Sequence, residues 1–341
     1  MELLRPKGLR KGDTIGIFTP SSPAYIHNEE LFLNGIKNLE AIGFKVKLGS
    51  LTKSRASEGY RSGNPVERAK EFMDLILDDD VHALMSTIGG NNSSSMIPYL
   101  DFNIIREKRK IFCGYSDVTS LHMAILKESG LRTIYGPALM TWFGEYPSGI
   151  PESVESFLAA TMNNDDVQRE FGPFPRWSNH FRDWANGDWK NVEREWNESR
   201  GPNILNQGSA EAEIVVANLN TLVSLAGTPY FPEVENKILL LEEMAAPFSR
   251  EERSLRQLEL MGVFDKISGL VMGRPEWPDA EGAPFDLDEL LIEVVGEREY
   301  PIISDFDCSH TVPMHSIGQR AKMQLIADKE VKMVSLESFV E

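Results

Sequence analysis

The sequence predicts an α/β fold: an N-terminal Rossmann-like parallel-sheet domain followed by a second α/β domain. Three observations carry this. Short apolar runs alternate with segments of helical spacing over residues 14–128. A second alternating series begins near residue 219. Between them, 164–210 differs in composition, with Trp177, Trp184, Trp189 and Trp196 set among Asn, Gly, Pro and charge. Alternation of strands and helices is the signature of a parallel sheet with helices on both faces.

The elements follow in order. Thr14 to Phe18 reads as a strand and ends in the turn-rich Pro20-Ser21-Ser22-Pro23. Asn28 to Ile42 has helical spacing at Leu31, Leu33, Ile36 and Leu39. Lys45 to Leu48 is a second strand. Pro65 suits a first helical turn and opens a helix to Leu77. Strand 81–88, a helix from Ser93, strand 110–114 and helix 118–128 complete the first series. The second offers helix 219–226, strand 237–241, helix 250–261, strand 267–272, helix 286–296 and strand 301–305. Two terminal strands, 321–326 and 331–336, turn at Asp328-Lys329. A chain of 341 residues usually divides into two cores. The division expected is 1–165, carrying a serine nucleophile elbow, and 166–341, with the Trp-rich connection at its start.

Bulk properties narrow the partners. The net charge is −17, with no basic stripe to offset it, which argues against nucleic acid and anionic membranes. No apolar run nears the ~20 residues of a membrane span, and Met1 to Gly8 lacks the core of a signal peptide, so a cytoplasmic location is expected. Neither Cys-x-x-Cys nor His-Glu-x-x-His occurs, so no metal or cofactor is expected. Cys113 and Cys308 read as small buried packing residues.

The chemistry concentrates where strands end. Strand 110–114 runs into Gly114-Tyr115-Ser116-Asp117, and a helix starts at once. Such a turn exposes a serine hydroxyl and aims the first helical N–H groups at what it attacks. Read alone, Ser116 or Asp117 serves equally well as a helix N-cap, and Val118 stands where a second elbow glycine would be. Strand 81–88 leads into Gly89-Gly90-Asn91-Asn92-Ser93, strand 237–241 into Glu242-Glu243, and strand 301–305 towards His310. Open α/β sheets keep their chemistry at such carboxyl ends. A serine, an acid and a histidine in this order form one of several triad arrangements.

The stretches that carry these residues resemble the LD-carboxypeptidase family of serine peptidases, nearest its microcin-immunity branch. They are Gly12 to Ile17 with Pro20 to Pro23, Ile88 to Ser93, Gly114 to Asp117, Tyr135 to Leu139, Asn218 to Thr221, Leu241-Glu242, Gly262 to Asp265 and Asp305 to Thr311. The resemblance implies a Ser116, Glu242 and His310 triad in a cleft between the domains, no cofactor, and a homodimer. His315 competes as base and Glu243 as acid; Glu243 is also a candidate substrate contact. The backbone N–H groups of Gly90 and Asp117 are the expected oxyanion donors, with Gly89, Asn91 and Ser93 beside the substrate.

Departures from the family pattern bear on substrate. The branch stacks an aromatic residue on adenine just before the segment matching Gln207-Gly208, whereas this chain reads Gly201-Pro202-Asn203-Ile204-Leu205. Trp189 or Trp196 is expected to replace it, against the alternative that both pack the domain junction. Murein enzymes carry an arginine where this chain has Ile88. The expected activity is hydrolysis of the amide-type bond between an amino acid or peptide and a nucleotide. Murein LD-carboxypeptidase activity and non-catalytic ligand binding are the alternatives.

Overall fold

The computed structural model of the protein describes residues 2–162, 168–244 and 247–341. The expected division between 165 and 166 lies outside the described residues. Strands β1 (Thr14–Phe18), β2 (Lys45–Leu48), β3 (Ala83–Ser86), β4 (Ile111–Gly114) and β5 (Ile134–Tyr135) come from the first half. The rest supplies β6 (Arg169–Glu170), β7 (Arg176–Trp177), β8 (Asn197–Glu198), β9 (Asn203–Asn206), β10 (Gly208–Asn218), β11 (Ile238–Glu242), β12 (Gly269–Gly273) and β13 (Ile302–Phe306). It ends with β14 (Ile317–Gly318), β15 (Lys322–Ala327) and β16 (Val331–Ser335).

The first sheet has the order β14-β5-β4-β3-β1-β2. β1 to β5 pair in parallel, and β14 closes the β5 edge antiparallel, Ile317 opposite Tyr135. Residues of β3 and β4 are wholly buried, as expected for a parallel sheet covered on both faces. Strand order reverses between β1 and β3, the place where such sheets bind ligands. The turns after β1, β3 and β4 carry Ser21, Gly89-Gly90 and Ser116.

The second sheet has the order β6-β16-β15-β10-β11-β12-β13-β9. Its centre, β10 to β13, is parallel, and both flanks are antiparallel. Glu242 is the last residue of β11, and His310 follows β13 by four residues. No helix among the described residues is long and apolar enough to cross a membrane.

Several expected elements change. The helix from Ser93 is a 3-10 segment, Ser93–Tyr99, containing Pro98, with a separate α-helix at Phe102–Lys108. Proline removes an N–H and clashes with the preceding turn, so it kinks or breaks an α-helix. The Trp-rich connection holds, over its described residues 168–207, the short strands β6 to β9 and the helix Asp188–Asn191. The 11-residue β10 is the backbone of the second sheet. The helix Pro65–Leu77 has Pro at its first turn and a capping box between Asn64 and Glu67.

The approach to Ser116 leaves no spare volume. A Cβ on Gly114 would lie 2.7 Å from both Ser86 Oγ and Val118 Cγ2. Gly114→Ala should therefore destabilise the fold by about 1–3 kcal/mol, the usual cost of overpacking. Urea unfolding measures it, and an unchanged midpoint would show that the neighbours yield.

Candidate active site

Ser116 occupies the left-handed region, φ 63°, where a side chain other than glycine is strained. The strain is local to the turn: β4 ends at Gly114, and Ser116–Val118 form a single 3-10 turn before the helix Thr119–Ser129. The backbone N–H of Ser116 donates to Tyr135 Oη at 2.9 Å. Tyr135 Oη in turn donates to Glu242 Oε1 at 2.6 Å. Glu242 Oε2 lies 2.6 Å from His310 Nδ1. The ring of Tyr115, next to Ser116 in sequence, packs on the His310 imidazole with centroids 4.7 Å apart. Serine, acid and histidine are thus gathered from two sheets into one site. Ser116 Oγ and His310 make no direct hydrogen bond among the described residues; catalytic contacts are often long before substrate binds.

Glu242 has no solvent exposure. Asn218 Nδ2 adds a third donor to its carboxylate at 3.3 Å, and Asn218 also caps the helix Leu219–Ser224. Burial opposes charge on His310, but the charge and hydrogen bond of Glu242 outweigh it and hold the imidazole above its ordinary value. The loop that delivers His310 crosses Gly273, where a Cβ would lie 2.4 Å from Cys308 O and 2.8 Å from Glu242 Cβ. Arg274 pairs with Asp305 and Asp307 below that loop.

The glycine loop after β3 lies against the elbow. A Cβ on Gly89 would be 3.1 Å from Ser116 Oγ and 3.3 Å from the Asp117 nitrogen. Gly90 has φ 147°, and a Cβ there would strike Ser21 Oγ at 2.3 Å. Ser21 Oγ accepts the N–H groups of Asn91 (3.0 Å) and Asn92 (3.2 Å). The Asp117 carboxylate accepts those of Asn92 (3.0 Å) and Ser93 (2.9 Å). The Asp117 side chain therefore ties the loop to the elbow, while its amide stays beside Gly89. Ser93 is buried, and its hydroxyl is taken by Asp117 O and Ser120 Oγ, so it supports the loop and does not face a ligand. The Asn91 side chain is exposed.

A cavity of about 380 Å³ opens at His310. Tyr115, Trp142, Phe181, Trp184 and Trp277 supply its aromatic surface, and Glu145, Arg182, Arg194 and Glu276 its charges. Arg182 (3.0 Å) and Arg194 both pair with Glu145. Burial, with the charge of Glu242, pushes the Glu276 carboxyl up to about 7, although His310 and Arg194 pull it down.

Trp189 and Trp196 do not line this cavity. They line a neighbouring depression of about 430 Å³ that shares only Glu145, Arg182 and Arg194 with it. Trp189 is 3% exposed and packs edge-on against Tyr146. Trp196 stacks under the Arg176 guanidinium at 4.0 Å. Trp184, from the same segment, lines the cavity at His310 where they do not. Glu243 accepts from Asn220 N at 3.1 Å and Met244 N at 3.0 Å, and makes no hydrogen bond to His310 among the described residues. His315 is no rival base: its Nε2 meets Gly172 O at 2.9 Å, and Phe174 stacks on its ring at 4.2 Å. Cys113 and Cys308 are free and buried. Tyr135 and Asn218 lie in stretches that carry the family resemblance, but their contacts with Glu242 depend on strand pairing that no local pattern reveals.

Comparison with known proteins places this geometry. The profile described as the LD-carboxypeptidase N-terminal domain matches residues 15–136, and that of the C-terminal domain matches 211–325. The chain is 35% identical to the microcin C7 self-immunity protein MccF of Escherichia coli over 323 residues, 94% of this chain and 93% of that protein. A solved structure of MccF in complex with glutamyl sulfamoyl guanosine superposes with a TM-score of 0.93 at 34% identity, covering 99% of this chain and 100% of that one. MccF has also been solved with aspartyl sulfamoyl adenosine. An MccF-like protein from Bacillus anthracis gives 0.86 at 27% identity, covering 98% of this chain and 99% of that one.

The buried His315 supplies a test independent of turnover. Burial depresses its pKa from 6.5 to about 4, against the hydrogen bond it makes to Gly172 O. The unfolded chain then binds a proton that the folded one refuses, so this contribution to stability is complete above pH 6.5 and is lost as pH falls towards 4. His315→Phe should reduce the slope of unfolding free energy against pH in that window by up to one proton, about 1.4 kcal/mol per pH unit. Urea titrations at pH 7, 6 and 5 measure it; an unchanged slope would mean that His315 titrates normally in the fold.

Proposed function

The chain belongs to the LD-carboxypeptidase family, in its microcin-immunity branch, and is a hydrolase of the serine carboxypeptidase type; from that premise we propose that Ser116, Glu242 and His310 cleave the bond joining an amino acid or peptide to a nucleotide. The observation that carries the reading is the 2.6 Å Glu242–His310 pair beside a serine held at positive φ.

A serine hydroxyl is a weak nucleophile until a base takes its proton. In this reading His310 accepts the Ser116 proton as Oγ attacks the acyl carbon. Glu242 stabilises the imidazolium and keeps its Nδ1 proton in place. The oxyanion meets the N–H groups of Gly90 and Asp117, each worth about 3 kcal/mol where such donors have been removed. His310 then protonates the leaving nitrogen, and water, activated by the same imidazole, releases the acyl group as a carboxylate. The aromatic walls suit a nucleobase, with Trp184 as the stacking surface. Arg182 and Arg194 against one Glu145 carboxylate leave part of the wall positive, which suits the anionic link of a nucleotide. A cytoplasmic location and a homodimer belong to the same proposal.

Purified protein incubated with aspartyl sulfamoyl adenosine and, separately, with murein tetrapeptide should release aspartate from the first only, read by mass spectrometry. Ser116→Ala should lower kcat by at least ~10³-fold, and combining it with His310→Ala should add little, because a triad acts as a unit. Cleavage of the tetrapeptide alone would move the assignment to murein, and turnover retained without Ser116 would remove the nucleophile.

Trp184→Ala should raise KM for the adenylate analogue by ~5- to 150-fold, the kinetic equivalent of stacking worth roughly 1–3 kcal/mol. It should leave a small aminoacyl ester unaffected. Equal losses on both substrates would assign Trp184 to packing.

A further inference from the structure

Tyr135 is a buried polar group at the triad that the mechanism above does not use. It ends β5 in register with Gly114, two residues before Ser116. Its side chain has no solvent exposure. Burial, then the charge of Glu242, drives its phenol well above the ordinary value, so the proton stays on oxygen. The hydroxyl accepts the Ser116 N–H (2.9 Å) and donates to Glu242 Oε1 (2.6 Å), with the Thr119 side chain beside it. Glu242 uses its other oxygen for His310.

The ring has little freedom to move. It packs on His122, centroids 5.5 Å apart. His122 is itself fixed between Gly114 O (2.9 Å) and Thr133 Oγ1 (2.7 Å). The Gly136 N–H donates to Gly114 O at 3.1 Å, and a Cβ on Gly136 would strike Ser316 Oγ at 2.8 Å. Backbone and ring are therefore both held against the strand that delivers the elbow.

We infer that Tyr135 is a positioning residue of the hydrolysis: its one hydroxyl registers the Ser116 backbone, from the first sheet, against the Glu242 carboxylate, from the second. The inference rests on the triad reading given above. Two consequences follow. A non-glycine backbone at positive φ is strained and persists only where surrounding contacts over-determine it. The phenol is one such contact, through an N–H that does not face the oxyanion. The phenol also shares the Glu242 charge, which moderates the pull of that carboxylate on the imidazole. His310 is further faced by Glu276 and Glu243, and by the uncharged ring of Tyr115.

The test compares Tyr135→Phe with site-specific 3-fluorotyrosine at 135. The first deletes both hydrogen bonds, and the second keeps both with a stronger donor. The His310 imidazole is titrated by NMR in histidine-labelled protein, assigned with His310→Gln. It is read in the Ser116→Ala background as well, where turnover contributes nothing. Tyr135→Phe should raise the His310 midpoint by about half a unit or more, and fluorotyrosine should lower it. In the active enzyme Tyr135→Phe should cut kcat by ~10- to 100-fold and leave KM within about threefold.

Tyr300→Phe is the control, since it loses a bond of the same length to Phe264 O far from the site and should move neither quantity. If Tyr135→Phe lowers thermal stability as Tyr300→Phe does and leaves His310 unmoved, Tyr135 is only a core residue and the inference fails. Should Tyr135→Phe not fold, the fluorotyrosine protein decides, and an unshifted His310 midpoint there overturns the inference. Failure of the triad reading shows elsewhere, as turnover that survives Ser116→Ala.

Discussion

Glu242 is a carboxylate with no exposure to water, and the rest of the site follows from how that charge is tolerated. Burying a charged group is costly unless it is paired and hydrogen-bonded. Here three donors converge on it: His310 from the loop after β13, Tyr135 from β5 and Asn218 from the end of β10. They come from both sheets. The carboxylate is therefore a point at which the two sheets are registered on each other. Its need for donors and the need of His310 for an acid are met by the same contact.

The elbow has the opposite character, since it is held by exclusion as much as by attraction. Gly89, Gly90 and Gly114 each stand where a methyl group would collide with the turn or with its support. Ser21 and Asp117 hold the glycine loop through backbone N–H groups, so that the loop can approach Ser116 without side chains of its own. Electrostatic preorganisation of this kind is fixed before substrate arrives and needs no rearrangement during the reaction.

The alternation of apolar runs and helical spacing made the first sheet readable, because its inner strands β3 and β4 are wholly buried and their sequences correspondingly apolar. β10 escaped the same reading. Its first half alternates Glu with small residues, and only Ile214 to Ala217 looks like a core strand. Ser116, Glu242 and His310 were legible because each follows an apolar run and lies in a stretch shared with a known family. The roles of Tyr135 and Asn218 were not, since they depend on which distant strands pair. The tryptophans show the limit from the other side. Composition marked the segment as aromatic, but which ring reaches the cavity is a matter of burial: Trp184 lines it, while Trp189 is packed away behind Glu145 and Arg182.

The short strand β14 carries a consequence for how the chain is made. It pairs Ile317 with Tyr135, far upstream in sequence, and forms the outer edge of the first sheet. On the ribosome, β1 to β5 emerge with that edge open and wait for almost the entire remaining polypeptide before it is closed. A nascent chain in that interval offers unpaired N–H and C=O groups on β5, a template for pairing with a neighbouring chain. Loop closure over such a sequence distance is also slow relative to local folding. Fragments that stop short of residue 317 would keep the nucleophile turn and leave the β5 edge without its partner strand.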